Sequence, residues 1–167
     1  MLSQPSHLSD MISLRSITWG KEMWRSLAGA GALVEHENRV LMVLRHRSGK
    51  LRWELPSGLV ESGESFEQTA ERETKEETSA IVTIGSLLCT AVMDVPSEEY
   101  RGINAYYRAT FVAMSDSLID ENEPIEKAAF VDICLIASRD IHPVDRKILA
   151  RWRRLRNERP FSFRILL

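Results

Sequence analysis

No run of apolar residues in this chain is long enough to cross a bilayer as a helix. The first 25 residues carry Asp10, Arg15, Lys21, Glu22 and Arg25 with no apolar block, so the pattern of a secretory signal is missing as well. Cysteine is scarce, at 2 of 167 residues. Cys89 and Cys134 sit in apolar, strand-like stretches, LLCTAVM and VDICLI, and are read as reduced core residues rather than as a disulfide or metal pair. The histidines, His7, His36, His46 and His142, show no ligand spacing. Neither sign of charge dominates: 22 Lys+Arg against 24 Asp+Glu leave a net charge of -2, which gives no bulk attraction for nucleic acid. Repeats and flexible linkers are absent too, and 167 residues suffice for one domain with a real core. These absences leave a cytoplasmic, single-domain globular protein, with neither nucleic acid nor membrane as a partner, as the expectation.

What the chain does have is a concentration of carboxylates between Gly58 and Ala80, GLVESGESFEQTAERETKEETSA. Ser65 with Gln68 three residues on is a capping-box pattern and predicts a helix from about Phe66. In that helix Phe66, Ala70, Glu73 and Glu77 fall along one stripe, and Glu67, Glu71, Lys75 and Thr78 lie opposite. The stripe begins apolar, so it should face the protein body, yet it continues as carboxylates. Glu67 and Glu71 are explained as solvated acids. Glu73, Glu76 and Glu77 are not, because like charges three and four residues apart repel, and buried charges are paired or bind metal. The cluster reads as a cage for a hard divalent cation, and oxygen-only donors suit Mg²⁺ or Mn²⁺ better than zinc.

The rest of the chain frames that helix. GAGALVEHENRVLMVLRHR reads as two strands around a polar turn at Glu35–Arg39, and Arg52 to Leu55 as a short strand ended by Pro56-Ser57-Gly58. Strands are expected at Ala80–Val95, Asn104–Ala113 and Ala128–Leu135. Pro143 should stand near the start of a last helix whose apolar stripe is Ile148, Leu149, Trp152 and Leu155. The basic residues of that helix, Arg146, Lys147, Arg151, Arg153, Arg154 and Arg156, lack an accompanying aromatic module and are read as a solvated face. The fold class is α+β, one domain with a mixed sheet between helices. Residues 1–27 are read as an N-terminal extension, 28–158 as the domain and 159–167 as a C-terminal tail.

At this point the residues resemble a known family. Gly58, five residues, Glu64, seven residues, Arg72-Glu73, then Glu76-Glu77 is similar to the Nudix box, G-x5-E-x7-R-E-U-x-E-E-x-G-U, where U is bulky and apolar. Thr74, Ser79 and Ala80 depart from it, standing at a U, the closing glycine and the last U. The resemblance implies an α/β/α sandwich and a hydrolase that cleaves a nucleoside diphosphate linked to another moiety, using Mg²⁺ or Mn²⁺. By carry-over, Glu73, Glu76, Glu77 and the backbone carbonyl of Ser57 hold the metals, while Arg72 and Glu64 orient this shell. The chemistry expected of such ions is to neutralise the diphosphate and acidify an attacking water.

Within that family, Trp53 to Glu61, WELPSGLVE, looks like the segment that ADP-ribose pyrophosphatases carry into the box. LMVLRHR before it is similar to their strand ending in arginine, which implies Arg47, with Glu54, as substrate-binding residues. Leu118 to Ile125, LIDENEPI, looks like the acidic loop that supplies their catalytic glutamate. Glu121 is then the first candidate for the general base and Glu123 the second, with Glu98 and Glu99 as rivals and a solvated connector as the plain alternative. A homodimer is the assembly the subgroup implies, although this N-terminal region is short for the small extra sheet through which the subgroup dimerises. Tyr100, Tyr106 and Tyr107 could stack on a nucleobase, but alternating strand aromatics are more often packing. The expected activity is hydrolysis of ADP-ribose or a related nucleotide sugar; the alternatives are a nucleoside triphosphate pyrophosphatase and a non-catalytic nucleotide-binding module.

Overall fold

In the computed structural model, residues 25–47, 49–116, 125–154 and 160–167 are described. Strands β1 (Arg25–His36) and β2 (Arg39–Arg47) form the expected hairpin. Glu37 and Asn38 both take positive φ at its tip, as a two-residue turn between twisted strands requires. β3 (Lys50–Glu54) pairs with β2, and β4 (Ser57–Leu59) crosses to pair antiparallel with β1. Helix α1 (Phe66–Thr78) begins at its capping box: Ser65 accepts the Gln68 N–H and Gln68 accepts the Ser65 N–H. β5 (Ala80–Val95) and β6 (Tyr100–Met114) are a long antiparallel pair, followed by β7 (Ile125–Val131), α2 (Pro143–Arg154) and β8 (Phe161–Leu166).

The sheet runs β3-β2-β1-β6-β5-β8, with β4 added to β1 and β7 to β2. The β1–β6 and β5–β8 pairs are parallel and the others antiparallel, so the sheet is mixed. Its two faces are covered by different helices, and strand alternation shows this on β6. Tyr106 packs with Ile148, Leu149 and Trp152 of α2, whereas its neighbour Tyr107 packs with Ala70 of α1. The result is the expected α/β/α sandwich. Among the described residues no helix is long and apolar enough to cross a membrane.

Several expectations need correction. Residues 161–166 of the expected tail form β8, with Phe161, Phe163 and Ile165 packed against the core at strand spacing. β8 is fastened to β5 by Asp94, which Arg101 of β6 and Arg164 of β8 both contact. The Arg101 hydrogen bond, reinforced by Arg164, holds the Asp94 carboxyl below the usual carboxylate range. A group depressed in this way contributes stability above its unfolded pKa and loses it as pH falls through the folded value. Asp94→Asn is therefore expected to lower the thermal midpoint by several degrees at neutral pH, with the gap to the native protein closing as acid is added. A gap that is the same at neutral and strongly acidic pH would contradict this role.

Cys89 is buried, but Cys134 is exposed, because β7 ends at Val131 and the Asp132 side chain accepts the Cys134 N–H at 2.8 Å to make a turn. Thr78, expected on the solvent side of α1, is buried with Thr69 and Thr74, and its hydroxyl donates to the Thr74 carbonyl. Phe66, expected to face the body, is 37% exposed. The buried threonines donate back to carbonyls of the preceding turn, Thr74 to Ala70 at 2.6 Å. That satisfies the hydroxyl where the family pattern has an apolar side chain. Ser79 ends the helix in the left-handed region (φ 60°), a conformation that costs a non-glycine residue on the order of 1 kcal/mol.

Candidate active site

The site is assembled where β4 lies on β1 against the C-terminal half of α1. Gly29 and Gly31 make the crossing possible. A Cβ at Gly31 would come within 2.6 Å of the Pro56 carbonyl oxygen, and one at Gly29 within 2.8 Å of the Gly58 oxygen. Gly58 is bare for a related reason: a Cβ there would overlap the Glu73 carboxylate. Beside it the Ser57 N–H donates to Glu77 Oε2 at 3.0 Å, so β4 and α1 are joined through the predicted metal-binding residues themselves.

Two arginines divide the carboxylates of α1. Arg72 contacts both oxygens of Glu64 (Nε to Oε1, 2.7 Å; Nη2 to Oε2, 3.0 Å), then Glu73 at 2.8 Å, Glu76 at 2.9 Å and the Leu59 carbonyl at 3.0 Å. The Arg72 hydrogen bonds hold the Glu64 carboxyl down at about 2. Glu77 is 1% exposed and pairs with Arg45 of β2. Burial pushes its carboxyl up to about 8, against the opposing pull of Arg45. Arg45 was not among the residues expected at the site. Its signal was the alternation in LRHR, which places Arg45 and Arg47 on one face of a strand. Glu54 stands behind both, 3.8 Å from Arg45 and 3.3 Å from Arg47. It is buried, burial raises its pKa, and among the described residues its Oε1 has no hydrogen-bond partner.

These groups border a cleft of ≈ 560 Å³. Of the expected site residues, Arg47, Ser57, Glu73 and Glu77 line it; Glu54, Glu64, Arg72 and Glu76 support it from behind or beside. Glu121 and Glu123 lie outside the described residues. Glu98 and Glu99 are exposed in a turn after Pro96 and do not line the cleft. Tyr106 and Tyr107 are buried, whereas Tyr100 lines the cleft. Among the described residues no three His, Cys, Asp or Glu side chains stand together as a ligand set. The donors nonetheless fit a hard divalent cation. Glu73 and Glu77 present carboxylate oxygens to one cleft, and the missing Cβ of Gly58 leaves Glu73 the space to do so.

A family model for the NUDIX domain matches residues 25–152. The chain belongs to the Nudix family. Over 71 residues it is 38% identical to the ADP-ribose pyrophosphatase of Methanocaldococcus jannaschii, a stretch that covers 42% of this chain and 41% of that one. The match thus spans about two-fifths of that relative's length. Among solved structures, a NUDIX hydrolase from Nitrosomonas europaea superposes with a TM-score of 0.67 at 25% identity, covering 85% of this chain and 81% of its own. An ADP-ribose pyrophosphatase from Streptococcus suis superposes with a TM-score of 0.56 at 15% identity, covering 82% and 98%, a likeness of fold alone. The family is the one whose box the stretch Gly58 to Glu77 resembles.

Proposed function

We propose that this Nudix hydrolase cleaves the diphosphate of a nucleoside diphosphate joined to another group, of the ADP-ribose type, with Mg²⁺ or Mn²⁺ as cofactor. The observation that carries this reading is the pairing of opposite charges across one cleft: Arg45 and Arg47 on β2 face Glu73 and Glu77 on α1, with Ser57 and Gly58 between them. Arginines suit diphosphate oxygens, which accept paired N–H donors. The carboxylates of Glu73 and Glu77 and the Ser57 carbonyl would hold the cation, with Glu76 beside them on the same helix. Such a cation supplies charge neutralisation for the diphosphate and acidification of water.

The chain's own residues do the remainder. Arg72 holds Glu73 and Glu76 in place while its fork is fixed by Glu64. Arg47, half exposed at the cleft and backed by Glu54, orients the diphosphate. The base that takes the proton of water is assigned, on the resemblance of the acidic loop LIDENEPI, to Glu121 with Glu123 second.

Product analysis tests the proposal. With Mg²⁺ and ADP-ribose, AMP and ribose 5-phosphate should appear in equal amounts, and chelation should stop the reaction. Monophosphate and pyrophosphate from nucleoside triphosphates, with ADP-ribose left intact, would replace this reading by that of a triphosphate pyrophosphatase.

A further inference from the structure

The basic residues of α2 fall into two stripes. Arg146 and Arg153 lie on one side, where Arg153 donates to the Cys134 sulfur at 3.1 Å. Lys147, Arg151 and Arg154, four and three residues apart, lie on the other side and overhang β8. Cations in the last turn of a helix are favoured by its dipole, and that explains Arg153 and Arg154 alike. It does not explain what lies beneath the second stripe. There Lys147 Nζ stands 5.6 Å from the centre of the Phe163 ring, and the Arg151 guanidinium 5.3 Å from that of Phe161. The two rings share a face because they are two residues apart on a strand, with centroids 6.2 Å apart and planes 23° from parallel. Both are packed against the core, so they make a fixed floor, and each holds one cation above it.

A groove of ≈ 370 Å³ opens between this stripe and this floor. Among the described residues that line it, three are cations, Ser162 supplies a hydroxyl and none is an acid. Like charges one helix turn apart repel, so the stripe costs stability while the groove is empty of anions. Asp94, on the neighbouring strand, is already taken by Arg101 and Arg164. The groove shares no lining residue with the cleft that holds Glu73 and Glu77.

The lining defines the ligand. Guanidinium forks match phosphate oxygens, and three converging cations suit a doubly charged phosphate better than a single carboxylate. The volume falls at the small end of the range for small-molecule sites, about 300–1,000 Å³, and exceeds what a bare phosphate fills. The rest of the space is walled by Ala150, Phe161 and Phe163, which suit an uncharged organic body. We infer that this groove is a second anion site, which binds a small organic phosphate monoester: the phosphate lies among Lys147, Arg151 and Arg154, and the organic body lies along the phenylalanine floor. The site stands whichever substrate the cleft takes.

AMP is the probe, titrated into isotopically labelled protein with a chelator present. Backbone amide shifts of Phe161, Ser162 and Phe163 report the groove, and those of Ser57 and Gly58 report the cleft. The groove amides should follow a saturation curve of their own. Arg154→Gln is the cleanest variant, because both ring contacts belong to its neighbours. It should weaken binding at the groove about tenfold, the scale of one charge-assisted hydrogen bond, and Arg151→Gln at least as much. Arg153→Gln removes the same charge from the same turn and should leave groove binding unchanged. Adenosine should not move the groove amides, and inorganic phosphate should displace AMP but bind more weakly. The amide spectra also show that each variant is folded. Equal weakening by Arg153→Gln would reduce the site to diffuse attraction and overturn it. Phosphate that binds as tightly as AMP, or adenosine that binds as tightly, would overturn the assigned ligand. So would groove amides that stay still up to about 10 mM AMP.

Discussion

Glu77→Gln is expected to lower kcat/KM at saturating Mg²⁺ by about a thousandfold, the scale set by the several kcal/mol a divalent cation supplies to phosphoryl chemistry. The side chain is 1% exposed, with one oxygen on the Ser57 N–H and the other on Arg45. Glutamine has the same shape and can still accept the Ser57 N–H. What it lacks is the negative charge, and with it the ability to hold a cation in the cleft. The same change leaves Arg45 with Glu54 as a carboxylate neighbour at 3.8 Å, so some stability is lost as well. Full rupture of a buried pair costs about 3–5 kcal/mol, and the remaining partner reduces that.

Activity must therefore be read together with the folded fraction, from circular dichroism at the assay temperature. Glu71→Gln is the matched control, one helix turn and a half away on the exposed side of α1, and should leave the rate unchanged. A folded Glu77→Gln enzyme within tenfold of the native rate would remove Glu77 from the metal site and the assignment with it.

Much of this was legible from the chain because it is local. The capping box at Ser65 and Gln68 is a contact three residues long, and it placed the first residue of α1 correctly at Phe66. The positions of Glu73 and Glu77 on the inward stripe follow from helical periodicity alone, and both are buried. Thr78 was misjudged because a threonine can bury itself by donating to the preceding turn, which no hydrophobicity pattern records. Cys134 was misjudged because the apolar run VDICLI contains Asp132, whose turn ends the strand early.

The non-local parts were harder. Arg45 and Glu77 are 32 residues apart in sequence and meet only because β2 and α1 flank the same crossing strand. β8 did leave a trace, the alternation of Phe161, Phe163 and Ile165, but nothing local says that it pairs in parallel with β5. The tyrosines of β6 show the limit most clearly. Alternation can separate Tyr106 from Tyr107, but only the assembled cleft separates Tyr100 from Tyr106, which share a face.

Gly58→Ala should abolish most activity while sparing most of the stability, and the reason lies in what the new methyl would meet. Gly58 is not at positive φ, so alanine suits its backbone. The clash is with the carboxylate of Glu73, the far end of a flexible side chain. At Gly31 the same methyl would meet the Pro56 carbonyl oxygen within 2.6 Å, a backbone atom that cannot swing aside. Glu73 can swing, but only by leaving the space beside Ser57 and stretching its 2.8 Å contact with Arg72. The fold therefore relaxes around the methyl, and the proposed cation site would lose a ligand. An enzyme with a thermal midpoint within a few degrees of native and kcat/KM reduced by about a hundredfold is expected, since a displacement of this size from productive geometry costs on that scale. Raising Mg²⁺ should recover part of the loss, because the remaining oxygens still attract the cation. Native-like kcat/KM in this variant would mean that Glu73 works from a different position, and that its closeness to Gly58 has no part in catalysis.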